Sequence, residues 1–194
     1  MYEIELKAHV DDVESVRKEL NGFAVQKGRS FKRDKYYKIS TSGSKDGYEK
    51  VRVRTENGKT FLTFKQKTLM KNPDGTYMEV NTESESEINT SETIELIFKS
   101  IGAVLSLEKT KDTEHWIYKS GKYEMHIELC YVGNLGNFLE IEVMSDKNDE
   151  NTVNAIRELE MQILEKCGIG KDKIESKYYE QLLAESTGRV YEKF

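Results

Sequence analysis

The feature that most constrains this chain is a period of two in which like charges alternate with apolar side chains. Near its start, Glu3, Glu5 and Lys7 fall on one parity and Ile4 and Leu6 on the other. Successive side chains of an extended backbone point to opposite faces, so such a segment has one charged and one apolar face. The pattern returns as Arg52 and Arg54, Lys65 and Lys67, Glu83, Glu85 and Glu87, Lys109 and Lys111, and Glu140 and Glu142. For any single pair, a solvated sheet face is the ordinary explanation. Taken together, basic pairs and acidic pairs on neighbouring strands can line one site. Lys and Arg would then hold a polyphosphate, and Glu would hold its metal ions.

Turn and cap signals divide the chain into alternating strands and helices. Strands are expected at Phe31 to Ile39, Tyr48 to Arg54, Thr60 to Lys67, Tyr77 to Ile88, Leu107 to Tyr118, Lys122 to Tyr131 and Phe138 to Met144. Asn57-Gly58 predicts a hairpin, while Thr41 to Gly47 and Asn72 to Gly75 predict a loop and a turn. Helices are expected from Asp11 or Asp12 to about Leu20, from Asn89 or Ser91 to about Ser100, from Asp149 to Lys166, and from about Ser176 to Ala184. Hairpin-like connections predict a largely antiparallel sheet and an α+β fold. The apolar parity (Val51 and Val53, Leu62 and Phe64, Ile127 and Leu129, Leu139 and Ile141) needs a cover, which the amphipathic helices supply. Curling the sheet into a barrel turns the charged faces inward.

Composition narrows the functional classes. A length of 194 residues predicts one domain with a short appendage. The net charge of -5 argues against a dedicated nucleic-acid binder without excluding a local basic pocket. No apolar run approaches the roughly 20 residues that span a membrane, and no secretory leader is evident. The two cysteines, Cys130 and Cys167, have no metal-ligand spacing and are too few for a disulfide framework. A cytoplasmic location is the expectation.

The charged pairs also occur in an order that resembles one family. Glu3-Ile-Glu5-Leu-Lys7 matches the ExExK signature of the CYTH family, the triphosphate tunnel metalloenzymes. Asp34-Lys-Tyr36 is similar to its D-x-Y element, Arg52-Val-Arg54 to its R-x-R strand, and Thr63-Phe-Lys65 to its T-x-K strand. Glu83, Glu85 and Glu87 fall on its acidic strand. Lys109-Thr-Lys111 resembles its K-x-R strand with Lys in place of Arg. Leu135-Gly136-Asn-Phe138-Leu-Glu140-Ile-Glu142 and Ser176-Lys177-Tyr178 resemble its last two elements. The second half, from His126 through Phe138, looks most like the class IV adenylyl cyclases.

The resemblance implies a closed antiparallel β-barrel of about eight strands, with a charged tunnel and helices packed outside. It implies a single domain over residues 1–185, with 186–194 as a tail. The implied ligand is ATP or another triphosphate-bearing small molecule, taken with Mg²⁺ or Mn²⁺, with no nucleic acid or membrane partner. Class IV relatives suggest a homodimer. Glu3, Glu5, Lys7 and Lys65 become the candidate catalytic residues. Lys7, Arg52, Arg54, Lys65, Lys109, Lys111 and Lys177 become the phosphate contacts. Glu3, Glu5, Glu140 and Glu142 become the metal ligands, with Glu128 as a further candidate. The leading activity is conversion of ATP to cyclic AMP and pyrophosphate. An inorganic or thiamine triphosphatase and a non-catalytic polyphosphate or nucleotide binder stand as alternatives. One position departs from the pattern: Cys130 stands where the family usually has a metal-site Asp, and thiol is a poor Mg²⁺ ligand. His9, His115 and His126 are expected to be structural.

Overall fold

In the computed structural model, residues 1–40, 48–71 and 77–187 are described; the side chains of 48–49, 65–71 and 77–79 are not. The Thr41 to Gly47 loop and the Asn72 to Gly75 turn expected from sequence therefore lie outside the described residues. The strands are β1 (Tyr2–His9), β2 (Val25–Ser40), β3 (Tyr48–Glu56), β4 (Lys59–Lys71), β5 (Tyr77–Ile88), β6 (Val104–Ser120), β7 (Tyr123–Val132) and β8 (Gly136–Ser145). They close into a barrel in the order β1-β5-β4-β3-β2-β6-β7-β8, with every pairing antiparallel. Closure leaves no free sheet edge and gives each strand one inward and one outward face.

Local chemistry explains the elements. At the β3–β4 turn, Asn57 and Gly58 both adopt positive φ, 48° and 82°. Those are the dihedral signs of a type I′ hairpin, which Asn-Gly tolerates best. The helices are α1 (Val13–Phe23), α2 (Glu92–Ser100), α3 (Glu150–Lys166) and α4 (Tyr179–Thr187). Asp12 caps α1 by accepting from the Ser15 amide, and Asp149 caps α3 by accepting from the Thr152 amide. Helix α1 continues past the expected end at about Leu20 to Phe23. Helix α4 begins three residues later than Ser176 and runs two residues into the expected tail. Residues 188–194 lie outside the described residues.

The apolar parity is the outer face. Ile4, Leu6, Ile127, Leu129, Leu139 and Ile141 meet Val16 and Leu20 of α1 and Val153, Ile156 and Ile163 of α3 in the main core. Each fully buried Leu or Ile contributes about 1.5–3 kcal/mol through removal from water. A smaller cluster packs Phe98 of α2 on Tyr37 and Val53. A third lies inside one mouth of the barrel, where Tyr179 and Leu182 of α4 cover Cys130, Val132 and Phe138. No described helix is long and apolar enough to cross a membrane.

Candidate active site

Barrel register brings the charged parity together. Across β1 and β8, Glu5 lies opposite Glu142 and Lys7 opposite Glu140; across β7 and β8, Glu128 lies opposite Glu140. Across β2 and its neighbours, Asp34 lies opposite Arg54 and Lys109, and Tyr36 opposite Arg52. Directly opposed residues share a face, so the acidic wall of β1, β7 and β8 and the cationic wall of β2, β3 and β6 enclose one lumen.

The acidic wall holds three carboxylates, from Glu5, Glu140 and Glu142, whose oxygens lie within 4.8 Å of one another. Burial, together with the charges of Glu128, Glu3, Glu5 and Glu140, pushes the Glu142 carboxyl well above its ordinary range. Glu140 goes the other way. Burial opposes its ionisation, but Lys111 outweighs that and brings it down to about 2. Clustered hard oxygens that repel one another fit a divalent cation such as Mg²⁺ or Mn²⁺, whose charge would relieve the repulsion. Glu3 lies outside this trio and accepts from Asn81 at 3.3 Å. Glu128 also lies outside it, bonded to Lys32 at 2.6 Å and to Lys111.

The cationic wall is built around Asp34, which is fully buried. Arg54 donates to it twice, at 2.7 and 2.9 Å, and the Lys109 ammonium stands 3.4 Å away. Burial would raise the Asp34 carboxyl, but Lys109 and Arg54 hold it far below the usual range. Arg52 is held more loosely. It reaches Thr63 and Glu85 at 3.2 Å, while its buried Nε has no partner among the described residues. A buried donor left in this way is costly unless a ligand accepts from it.

Several expected phosphate contacts are placed differently from one another. Lys109 is on the wall, and Lys111 sits among carboxylates, donating to Glu128 and Glu140. The Lys65 backbone lies in β4 opposite Glu83, with its side chain outside the described residues. Lys7 donates to the Lys177 carbonyl at 2.8 Å. The Lys177 ammonium is half exposed and pairs with Glu185 at 2.8 Å. Cys130 faces the apolar mouth, and burial pushes its thiol up to about 12.

Residues beyond those expected also face the lumen. Lys32, which forms the Glu128 pair, falls on the same parity as Asp34 and was legible in principle. Helix α4 contributes Tyr179, whose hydroxyl donates to Glu140 and whose ring lies 4.5 Å from both the Lys7 and Lys109 ammoniums. It also contributes Glu180, which pairs with Lys50 and lies 3.7 Å from Lys38. No strand periodicity announces these contacts, because they depend on where the helix folds back.

Residues 1–179 match the CYTH domain. The chain belongs to the CYTH family. Over 187 residues it is 32% identical to a protein of Methanocaldococcus jannaschii provisionally named an adenylate cyclase, covering 94% of this chain and 98% of that one. A Vibrio parahaemolyticus structure, also provisionally named an adenylate cyclase, superposes with TM-score 0.73 at 16% identity, covering 95% and 98% of the two chains. A Hippeastrum protein, provisionally named an adenylyl cyclase and described as having dominant triphosphatase activity, gives TM-score 0.65 at 15% identity, covering 99% and 98%. At such identities the two structures establish likeness of fold. CYTH enzymes act on triphosphates and generally depend on divalent metal.

Proposed function

We propose that this chain is a metal-dependent enzyme of class IV adenylyl cyclase type, which converts ATP to cyclic AMP and pyrophosphate. One observation carries the reading: within one closed barrel, a cluster of three carboxylates faces a wall of arginine and lysine. A polar lumen of both signs is expensive to desolvate without a ligand. A metal-bound triphosphate complements both walls, the metal with the carboxylates and the phosphates with the cations. The one-third identity to a relative provisionally named as a cyclase supports the choice of reaction.

In this reading Arg52 and Arg54 fork onto phosphate oxygens, and Lys65, Lys109 and Lys111 add point charges. Lys7 and Glu3 flank the trio on β1. Glu5, Glu140 and Glu142 would hold Mg²⁺ or Mn²⁺, which supplies charge neutralisation and acidifies a nearby hydroxyl. The ribose 3′ oxygen then bonds to the α-phosphorus as the bond to the bridging oxygen breaks. The cationic wall retains the departing pyrophosphate. Phosphoryl chemistry of this kind needs mostly positioning and charge stabilisation, which the two walls provide.

A triphosphatase is the second reading, favoured by the activity described for the Hippeastrum neighbour. The same cations would hold the phosphates while water attacks the terminal phosphorus. Incubation with ATP, and separately with tripolyphosphate, under Mg²⁺ and Mn²⁺ separates the two. Cyclic AMP with pyrophosphate is the expected product. Orthophosphate without cyclic AMP would replace the cyclase reading with the triphosphatase. Binding without any product would leave a polyphosphate binder.

A further inference from the structure

Three lumen residues outside the carboxylate trio form a line. Ser30 of β2 places its Oγ 2.7 Å from His115 Nε2 of β6, and His115 Nδ1 lies 3.4 Å from Glu128 Oε1 of β7. Register holds the line: Ser30 lies opposite Thr113, two residues from His115 on the same face, and His115 lies opposite Glu128. Ser30 is 6% exposed and Glu128 7%, whereas the His115 side chain is 26% exposed, so the imidazole is the accessible part.

The order hydroxyl, imidazole, carboxylate is the one that activates a serine. A serine hydroxyl is a weak nucleophile until a base within hydrogen-bond reach takes its proton. The Glu128 carboxylate favours the tautomer with the proton on Nδ1, which leaves the Nε2 lone pair facing Ser30. The 3.4 Å separation is long, as catalytic contacts commonly are without substrate. Such constellations are recognised by geometry rather than by position in the chain.

Surrounding charge selects the electrophile. Lys32, two residues from Ser30 on the same face, places its Nζ 2.6 Å from the same Glu128 oxygen, and Lys111 reaches the other. Paired in this way, the ammoniums screen Glu128 and Glu140, so an anionic phosphoryl group can approach the line. We infer that Ser30 is a nucleophile, activated by His115 and oriented by Glu128, that accepts a phosphoryl group from a phosphate anhydride in the lumen. A bond forms between Ser30 Oγ and phosphorus, and the bond from phosphorus to the bridging oxygen breaks. The serine proton passes to His115 Nε2 and then to the departing oxygen. Only the identity of the donor rests on the triphosphate reading.

Diisopropyl fluorophosphate tests the nucleophile without the phosphate cradle, because Oγ bonds to phosphorus as fluoride leaves. Intact mass and peptide mapping should find one adduct at Ser30, absent in S30A and formed on the order of 10²-fold more slowly in H115A. Glu128→Gln should slow labelling while leaving the adduct at the same residue. A second measurement covers poor probe access: iodoacetamide should alkylate the S30C thiol at least about tenfold faster than in S30C/H115A. Equal rates in that pair, or Ser30 labelling indifferent to H115A, would overturn the inference. Absence of His115-dependent reactivity in a protein that still turns over ATP or tripolyphosphate removes this proposal alone. Labelled Ser30 in a protein that neither binds nor turns over triphosphates removes the triphosphate reading alone.

Discussion

Tyr179, on the C-terminal helix α4, donates its hydroxyl to Glu140, one of the three clustered carboxylates. The same ring stacks beneath the Lys7 and Lys109 ammoniums. The helix that covers one mouth of the barrel therefore competes for a carboxylate oxygen that a cation would need.

Tyr179→Phe keeps the ring and removes that competition. Its apparent Mn²⁺ affinity, measured by calorimetry, should rise by up to about tenfold, the worth of one hydrogen bond to a charged group. Unchanged or weaker binding would mean that the cation does not use the Glu140 oxygen that Tyr179 holds.

Arg52 and Arg54 should separate binding from folding. Arg54 is locked to buried Asp34 by two hydrogen bonds, and removing it leaves the carboxylate with Lys109 at 3.4 Å and a long 3.5 Å bond from the Tyr36 hydroxyl. Arg54→Ala should cost about 3–5 kcal/mol of stability in denaturant unfolding. Arg52 has looser partners, and its Nε has none among the described residues. Arg52→Ala should cost less stability but weaken tripolyphosphate binding by roughly 10- to 100-fold.

Glu160 makes stability depend on pH in the unusual direction. It lies fully buried on α3, and neither carboxyl oxygen has a hydrogen-bond partner among the described residues. Burial pushes its carboxyl well above the ordinary range; Arg157 opposes the shift only in part, and Glu5 adds to it. Burial therefore favours the protonated carboxyl in the folded chain more than in the unfolded one. The stability associated with Glu160 is complete below the unfolded carboxylate range and is lost as pH rises toward its folded value. Glu160→Gln removes the ionisable group and should stabilise the protein at pH 7. The gain should shrink towards pH 4.5. An equal difference at both pH values would contradict the account.

Cys130 should behave as an inert core thiol. Its 2% exposure and raised thiol leave almost no thiolate at pH 8. Ellman's reagent should fail to modify it in the folded protein and do so only after denaturation. Cys130→Ser should keep metal binding within about twofold, because thiol is a poor ligand for a hard cation and Cys130, packed with Val132 and Phe138 beside Glu140, is not one of the three clustered carboxylates.

The walls of the lumen were legible in the sequence because strand periodicity needs only a closed sheet to become a site. Glu5, Glu140 and Glu142, and Arg52, Arg54 and Lys109, all lie on the inward parity that alternation predicts. Contacts that depend on a chain segment folding back were not legible. Lys177 is a phosphate contact by motif alone, and its pairing with Glu185 has no counterpart in the strand pattern. Tyr179 and Glu180 enter the lumen only because α4 crosses the mouth. Ser30 was missed for a local reason. The start of β2 is polar and carries a register shift between Gln26 and Gly28, so the alternation becomes clear only after Phe31. His115 is similarly ambiguous until its neighbours across two strands are known.

Calorimetric titration of tripolyphosphate into the purified protein, with and without Mn²⁺, tests the central claim that the two walls form one metal–triphosphate site. The account predicts binding at least about tenfold tighter with Mn²⁺, with that gain abolished in Glu140→Gln. Equal affinity with and without the metal, or no binding in either condition, would contradict it.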